Sequence, residues 1–510
     1  MTSTETTIPD ERTSGKPLRL LLIGLAGLTV VRLVCAASFG LIEAEAYYWT
    51  WSRQLAAGYF DHPPVIAFLI RLTTSLIGDS PLGVRLGPVV LGTLGPLAFY
   101  CFCRRLTGPR GAAWAAGFLA VAPFFLPFGM LATPDSPLLF FWILSLWAFW
   151  SAYETGRPLL WLAAGLVTGL CIISKYNGLQ LPICFFAFLV LTKRGRGYLM
   201  GPMPWAAVAV MAATIAPNMW WNLQRGGAAL GIPGSADGTL GMEESAAQVG
   251  IFLALVVLEP TPPVFLAWVR NTLRGLKGWR LLRDERMLYG LLLSWFPLAG
   301  FGLLSLVKII HAHWVAPCLI AALAMVADSF DAGGRPLDRK LARAGTWLAA
   351  AAAVVALALS AMTAWAPLPW VAGMPGPMLE AAQRVRGFDQ LADRLRHELA
   401  DRAEERNLMV MGKSFHLTAA LSWLLREPVP PPVLPLEGKT YNQYAIWYRE
   451  GLYEGWNAIY VDHKPHRKRL RLLRQAFESV QQLPSIEVAE DGMPVRQFDL
   501  YYCRGFRGPV

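Results

Sequence analysis

The sequence predicts an all-α polytopic membrane domain of about eleven transmembrane helices, followed by a small C-terminal α/β domain on the extracytoplasmic side. Three observations predict it. Of 510 residues, 55% are hydrophobic, 12% aromatic and only 16% charged, where an ordinary soluble protein carries roughly 25% charge. The mean hydropathy is +0.39. Apolar runs of membrane-crossing length recur along the first two thirds of the chain, and from position 376 onward charge becomes frequent and the long apolar runs stop. A water-soluble fold must cover much of its surface with polar groups, so this composition excludes a soluble enzyme, a disordered chain and a disulfide scaffold.

The polar start, 1–17, carries Glu5, Asp10 and Glu11. It reads as a cytoplasmic tail and not as a signal-peptide n-region, so the first apolar run is a retained span. A crossing helix needs about 20 mostly apolar residues. Such runs lie at 18–40, 82–103, 110–132, 134–153, 158–174, 178–192, 203–221, 247–269, 287–306, 314–328 and 344–366. The membrane domain therefore covers 18–370, with a first outer loop at 41–81. Within that loop, 63–78 contains Arg71 and is bounded by Pro63, Pro64 and Gly78, so it reads as an amphipathic helix lying along the interface. The seven cysteines show no metal-ligand spacing and read as small hydrophobes.

The net charge of +11 needs mapping before it means anything. Arg104, Arg105 and Arg110 follow the second span; Lys193, Arg194 and Arg196 follow the sixth. Arg270, Arg274, Lys277, Arg280, Arg283 and Arg286 follow the eighth, and Arg335, Arg339, Lys340 and Arg343 the tenth. With the N-terminus inside, all of them fall on the cytoplasmic side. The excess is topology, and no nucleic-acid partner is expected.

The tail, 376–510, reads as a charge-laced helix at 380–406, a strand at 407–412, a helix at 415–425 and a Pro-rich linker at 428–435. A strand at 457–462, a basic helix at 463–482 and a strand at 493–503 complete it. Composition assigns it no role.

Candidate chemistry gathers on the outer face. The first outer loop holds the acids Glu43, Glu45 and Asp61, the imidazole His62, and the aromatics Tyr47, Tyr48, Trp49, Trp51 and Tyr59. Carboxylates at a bilayer edge can bind a metal, act as a base or hold a sugar hydroxyl. Aromatics can stack on a sugar or form an interfacial belt. Asp135, at an inter-helix turn, reads as a helix N-cap or as a further acid of the site. Lys175, beside Tyr176, reads as a snorkelling cation or a substrate contact. Lys308, His311 and His313 precede the tenth span and suit an anionic headgroup. The two histidines are two apart, so a helix would not bring them to one face and an extended segment would. Arg85 opens the second span and reads as a phosphate clamp or a snorkelling residue. Together such groups suit transfer chemistry on a lipid phosphate ester, with a carboxylate taking the proton of an incoming hydroxyl.

Several motifs carry a resemblance. Glu45-Ala46-Tyr47-Tyr48-Trp49, Gly58-Tyr59-Phe60-Asp61-His62-Pro63-Pro64, Thr133-Pro134-Asp135-Ser136-Pro137, Ser174-Lys175-Tyr176-Asn177 and Lys308-Ile309-Ile310-His311-Ala312-His313-Trp314 resemble bacterial family 39 and family 83 glycosyltransferases. These include protein mannosyltransferases, the lipid A aminoarabinose transferase and rhizobial galacturonosyltransferases. Tyr441-Asn442-Gln443-Tyr444 and Trp447 in the tail are similar to the bacterial subgroup. The resemblance implies a GT-C fold in the inner membrane, a periplasmic active site and tail domain, a polyprenyl-phosphate sugar donor, and inversion at the transferred carbon. It implies an envelope glycolipid, glycan or protein as acceptor. By position it implies Glu45 as the first-loop acid, with Glu43 beside it, and Asp61 as an acid that binds acceptor or a divalent metal. It sets His62 where a phosphate-binding lysine stands in the aminoarabinose transferase, and Lys308, His311 and His313 near the lipid phosphate. Many relatives have Asp-Glu in the first loop; here the Asp position is Ala44. The competing readings are a transporter or flippase for lipid-linked sugars and a non-catalytic binder of them. Polar groups at span ends, without a clear internal repeat, favour the enzyme.

Overall fold

The computed structural model describes residues 15–226, 242–277, 284–331, 334–365, 388–405, 407–426, 442–449, 451–463, 467–490 and 493–508. Along the chain the helices are α1 (Lys16–Ser38), α2 (Glu43–Arg53), α3 (Val65–Ile77), α4 (Pro81–Leu106), α5 (Pro109–Val121), α6 (Asp135–Thr155), α7 (Pro158–Ile172), α8 (Gln180–Leu191) and α9 (Lys193–Leu199). They continue with α10 (Met203–Leu223), α11 (Met242–Leu258), α12 (Pro262–Leu276), α13 (Glu285–Leu304), α14 (Ala312–Met325), α15 (Pro336–Trp365) and α16 (Phe388–Ala400). The tail adds β1 (Leu408–Gly412), α17 (Phe415–Leu425), α18 (Gln443–Trp447), β2 (Asn457–Asp462), α19 (Arg467–Ala476), β3 (Phe477–Gln482), β4 (Ile486–Glu490) and β5 (Met493–Phe506). The chain packs as two compact units: residues 1–36, 85–225 and 231–355 form the first, and 37–84, 226–230 and 356–510 the second.

The first unit is helical. About eleven full crossings are expected from the apolar runs. Among the described residues, five helices have the length and hydropathy to cross a bilayer: α1, α4, α6, α13 and 336–362 of α15. Two bent pairs add up to two more, α8 with α9 at 110° and α11 with α12 at 91°. The difference has a local cause. The run at 110–132 forms only the 13 residues of α5, about 20 Å of helix against a hydrocarbon core of about 30 Å. It stops at Val121 because Ala122 is extended, as a residue before proline prefers to be, and Pro123 and Pro127 follow. The run at 247–269 breaks at Pro260-Thr261-Pro262, where Thr261 holds a positive φ of 66°. Apolar composition continues across both breaks, so hydropathy alone reads through them.

Small residues let these helices approach. A Cβ placed on Gly165 of α7 would overlap the Ala207 carbonyl of α10, and one on Gly169 would meet Thr214 at 2.7 Å. Close backbone approach of this kind is what packs helices where lipid offers no hydrophobic drive. Arg32, in the middle of α1, is buried and donates to the carbonyl oxygens of Gly92 (2.8 Å) and Ala120 (3.2 Å). A charge at that depth is tolerated only with such partners.

The second unit joins the first outer loop to the tail. The amphipathic helix expected at 63–78 is α3, which buries Ile66, Ala67 and Ile70 and exposes Phe68, Leu72 and Leu76. The tail holds a five-stranded sheet in the order β1-β2-β5-β3, with β4 also on β5. β1 and β2 are parallel, Val410 opposite Ile459, and the remaining pairs are antiparallel. Both sheet faces are covered. Val410, Ile459 and Val461 meet Leu391 and Leu395 of α16 and Leu417 and Leu421 of α17. Met409, Met411 and Tyr460 on the opposite face meet Leu473 and Ala476 of α19. Burial on both faces is why β1 and β2 read as continuous apolar runs.

The expected strands at 407–412 and 457–462 match β1 and β2 to within a residue. The basic helix expected at 463–482 ends at Ala476, and Phe477–Gln482 is instead β3, paired with β5 through Val480 and Cys503. Pairing with a long strand overrides local helix periodicity there. The expected helix at 380–406 is described only as Phe388–Ala400. Residues 1–14, 227–241, 278–283, 380–387, 406, 428–435 and Tyr441, on which other expectations fall, lie outside the described residues.

Replacing Gly165 by alanine should force α7 and α10 apart and lower stability by about 1–3 kcal/mol. The check is the unfolding midpoint of the purified protein in detergent, with Gly197→Ala, which meets nothing within 4 Å, as the neutral control.

Candidate active site

The first outer loop is built by α2. Its N-cap residue Ile42 has no side-chain acceptor, so Glu45, at the third helical position, reaches back: its Oε2 accepts the Ile42 N–H at 3.1 Å. Glu45 is fully buried. The expected first-loop acid is thus part of the helix start. Glu43, at the first helical position, is half-buried and acts electrostatically on His416 of α17.

One turn on, Tyr47 and Trp51 share a face of α2, with ring centroids 5.0 Å apart. Tyr47 also packs on Phe415 of α17 at 4.8 Å and stacks on Tyr444 of α18 at 5.9 Å. Its hydroxyl donates to Asp61 Oδ2 at 2.7 Å and accepts the Gln443 backbone N–H at 2.8 Å. The Gln443 side chain returns the contact, its Oε1 accepting the Phe60 N–H at 2.8 Å. The tail therefore grips the loop at Tyr47 and at Phe60, the residue before Asp61. That carboxyl is half-buried, and its pKa is pushed up to about 6 because burial disfavours the charge, while the Tyr47 hydrogen bond works the other way.

Tyr59, expected as a substrate contact, turns inward. It is fully buried and stacked on Trp51 at 4.4 Å, and its hydroxyl bonds the Trp51 and Gln54 carbonyls and the Ala56 N–H. It closes the loop and presents nothing to a ligand. Tyr48 and His62 stay half-buried, their rings 6.2 Å apart.

In the first unit, Asp135 and Lys175 find each other. Lys175 Nζ donates to both carboxylate oxygens, at 2.7 and 2.9 Å, with both side chains under 10% exposed at 8% and 6%. Asp135 opens α6 without a capping bond, so it is neither an N-cap nor a free acid, and Lys175 does not snorkel. The charges of both are felt at His313. His311 is extended (φ −89°, ψ 145°) just before α14, and this lets its ring stack on His313 at 5.5 Å and 9° despite the two-residue spacing. Lys308 is exposed just before them. Tyr176 donates to Asn218 Oδ1 at 3.0 Å and accepts from Asn222 Nδ2 at 2.9 Å. Arg85 is buried, its Nη1 3.4 Å from the Ala36 carbonyl.

Two features escape the sequence reading. One is the Asp135–Lys175 pairing, though both residues sit at helix ends. The other is the role of Gln443, Phe415 and His416, signalled only by the Asn442-Gln443-Tyr444 motif. For the metal expected as an option at Asp61, the described residues supply no ligand cluster: the carboxylate accepts from the Tyr47 phenol, and no three His, Cys, Asp or Glu side chains among them could hold a metal ion.

Comparison with known proteins adds an independent line. Residues 61–221 match the family profile described as dolichyl-phosphate-mannose-protein mannosyltransferase. Over 206 residues the chain is 31% identical to the lipid A galacturonosyltransferase RgtD of Rhizobium johnstonii, covering 40% of this chain and 43% of that one. Over 184 residues it is 30% identical to the undecaprenyl phosphate-α-4-amino-4-deoxy-L-arabinose arabinosyl transferase of Pseudomonas aeruginosa, covering 34% and 32%. These alignments span less than half the length of either relative. The fold extends further. ArnT from Cupriavidus metallidurans bound to undecaprenyl phosphate matches with a TM-score of 0.60 over 95% of this chain and 98% of that one, at 18% identity. The chain is thus similar in sequence to these transferases over part of its length, and its fold is ArnT-like over nearly all of it.

The buried ion pair gives a stability test. Lys175→Met should cost about 3–5 kcal/mol by leaving Asp135 charged and unpaired. Adding Asp135→Leu should recover most of that loss. Equal unfolding midpoints for the wild type and Lys175→Met would show that the pair holds nothing together.

Proposed function

We propose that this chain is an integral-membrane glycosyltransferase that moves a sugar from a polyprenyl-phosphate donor to an envelope glycolipid on the periplasmic side, with inversion. The observation that carries the reading is the Asp61 carboxylate. It is half-buried, bonded on one oxygen by Tyr47, and has a proton affinity near neutrality. A general base works best with its pKa near the operating pH. The names of the relatives and the undecaprenyl phosphate held by ArnT support the donor class.

In the proposed reaction, Asp61 takes the proton from the acceptor hydroxyl as its oxygen bonds to the anomeric carbon. The bond from that carbon to the phosphate oxygen breaks, and polyprenyl phosphate leaves as an anion. We assign Lys308, His311, His313, His62 and Arg85 to the phosphate, as hydrogen-bond donors or charges for its departing oxygen, and Tyr48 and Tyr176 to the sugar as aromatic surface. The paired Asp135 and Lys175 act electrostatically on His313.

Purified full-length protein is given lipid A with undecaprenyl-phosphate-linked galacturonate or 4-amino-4-deoxy-L-arabinose, and products are read by mass spectrometry. Transfer of one of these sugars is expected. Asp61→Asn should lower kcat by at least about 100-fold while leaving the amount of folded protein unchanged. Because burial raises the Asp61 pKa to about 6, the active ionised form gains as pH rises through 6. The kcat profile should therefore fall off on the acid side near that pH. Protein stability should run the opposite way, decreasing as pH climbs from the ordinary carboxylate range through 6, because the folded state holds this proton longer than the unfolded state does. Consumption of neither donor by the wild type, or full activity in Asp61→Asn, would remove the reading.

A further inference from the structure

A phenol oxygen carries one proton and can accept others. At Tyr47 the acceptor side is taken by the Gln443 backbone N–H at 2.8 Å, and the hydroxyl's own proton goes to Asp61 at 2.7 Å. Both Tyr47 and Gln443 are buried, at 3% and 1% exposure. We propose that Gln443, at the start of α18, is a positioning residue for Asp61: it fixes the direction of the Tyr47 hydroxyl, and through it one oxygen of the carboxylate. The tail domain is then part of the catalytic apparatus and not an accessory fold.

The argument rests on three linked contacts. The Gln443 N–H polarises the phenol, and hydrogen bonds in such a chain strengthen one another in a low-dielectric setting. With Oδ2 held by Tyr47, the lone pairs of the other carboxylate oxygen are oriented for the incoming proton. The Gln443 side chain then ties down the Phe60 N–H at 2.8 Å, one residue before Asp61, so the backbone leading to the carboxylate is held as well. No other titratable group substitutes for this chain. The ionisable side chains around the Tyr47 ring are Asp61, Tyr48, Tyr444 and His416, with Glu43 acting on His416 and His62 lying against Tyr48. Glu45, on the same helix, serves Ile42.

The backbone permits a sharp test. Asn442 caps α18 from an extended conformation (φ −161°, ψ 172°), and its side chain accepts the Ala445 N–H. Gln443 is thus the first helical residue, where proline is well tolerated, and the extended residue before it suits proline too. Gln443→Pro deletes the N–H that reaches Tyr47, and its ring takes the place of that proton, so the hydroxyl must turn away. Gln443→Ala keeps the N–H and loses only the Phe60 anchor.

The inference rests on the reading of Asp61 as base, and the experiment separates the two. Full-length variants are assayed with the donor the wild type turns over, with lipid A as acceptor, and folded protein is counted by its unfolding transition. Tyr47→Phe should lower kcat by about 10- to 100-fold, the worth of one hydrogen bond to a charged group, with donor KM unchanged. Gln443→Pro should lower it at least as much, and in the Tyr47→Phe background it should add no more than Gln443→Ala does, because apart from the Phe60 anchor its target is already gone. Amide hydrogen exchange supplies a readout that needs no activity: peptides covering Phe60 should exchange faster in Gln443→Ala than in the wild type. In the Tyr47→Phe background a Gln443→Pro loss larger than the Gln443→Ala loss, an unchanged kcat in folded Gln443→Pro, or unchanged exchange at Phe60 overturns the inference. If Asp61→Asn is inactive while Gln443→Pro is fully active, only this inference falls. If Asp61→Asn is active, the base assignment falls and takes this inference with it.

Discussion

Within the second unit, the arrangement depends on the hydroxyl of Tyr47. It is the meeting point of the loop that carries Asp61 and the tail segment that carries Gln443. A buried phenol with neither partner would forfeit its hydration without recompense, so loop and tail each need the other to bury this ring. The surrounding rings of Trp51, Phe415 and Tyr444 exclude water from the contact, which strengthens the hydrogen bonds and raises the cost of breaking them. The same α2 sends Trp49 against Trp423 of α17 at 5.1 Å. Aromatic side chains that read as an interfacial belt are in large part the cement between loop and tail.

The first unit meets a related constraint by other means. Two of its buried charges find protein partners, Asp135 in Lys175 and Arg32 in the Gly92 and Ala120 carbonyls. A Cβ on Gly129 would lie 2.8 Å from the Arg32 guanidinium carbon, so a larger residue there would push the guanidinium aside. At the base of α15, Asp338 is buried between Arg270 and Arg274. A charge at depth needs a defined partner. These partners tie together helices far apart in sequence, and they give the unit fixed points that apolar packing alone would leave free to slide.

Much of this was legible in the sequence, and what was not has a physical reason. The membrane class, the amphipathic helix α3 and the strands β1 and β2 follow from composition and local pattern, which act over a few residues. The early stop of α5 and the break between α11 and α12 were hidden, because hydropathy runs on through Pro123 and Pro260 while the backbone does not. β3 was hidden because its strand state comes from β5, which begins 11 residues after β3 ends. In the site, Asp61 and Tyr47 were legible as chemistry-bearing residues of one loop. Their dependence on Gln443 was not, since that contact spans 396 positions and a backbone N–H has no signature in side-chain identity. The Asp135–Lys175 pair, 40 positions apart, is the same case: each residue is ordinary alone, and only their meeting in a dry interior decides what either does.

The loss of an acid at Ala44 is best weighed in these terms. Of the remaining loop carboxylates, Glu45 is spent on the first turn of α2, where its Oε2 accepts the Ile42 N–H. Glu43 stands at the same helix start and acts electrostatically on His416. At Asp61 burial resists the charge and outweighs the support of a single phenol, which leaves the pKa at about 6. On the proposed chemistry, a loop lacking the residue at 44 still keeps one carboxylate able both to take a proton from a hydroxyl and to give it up again, and its position is set by the tail.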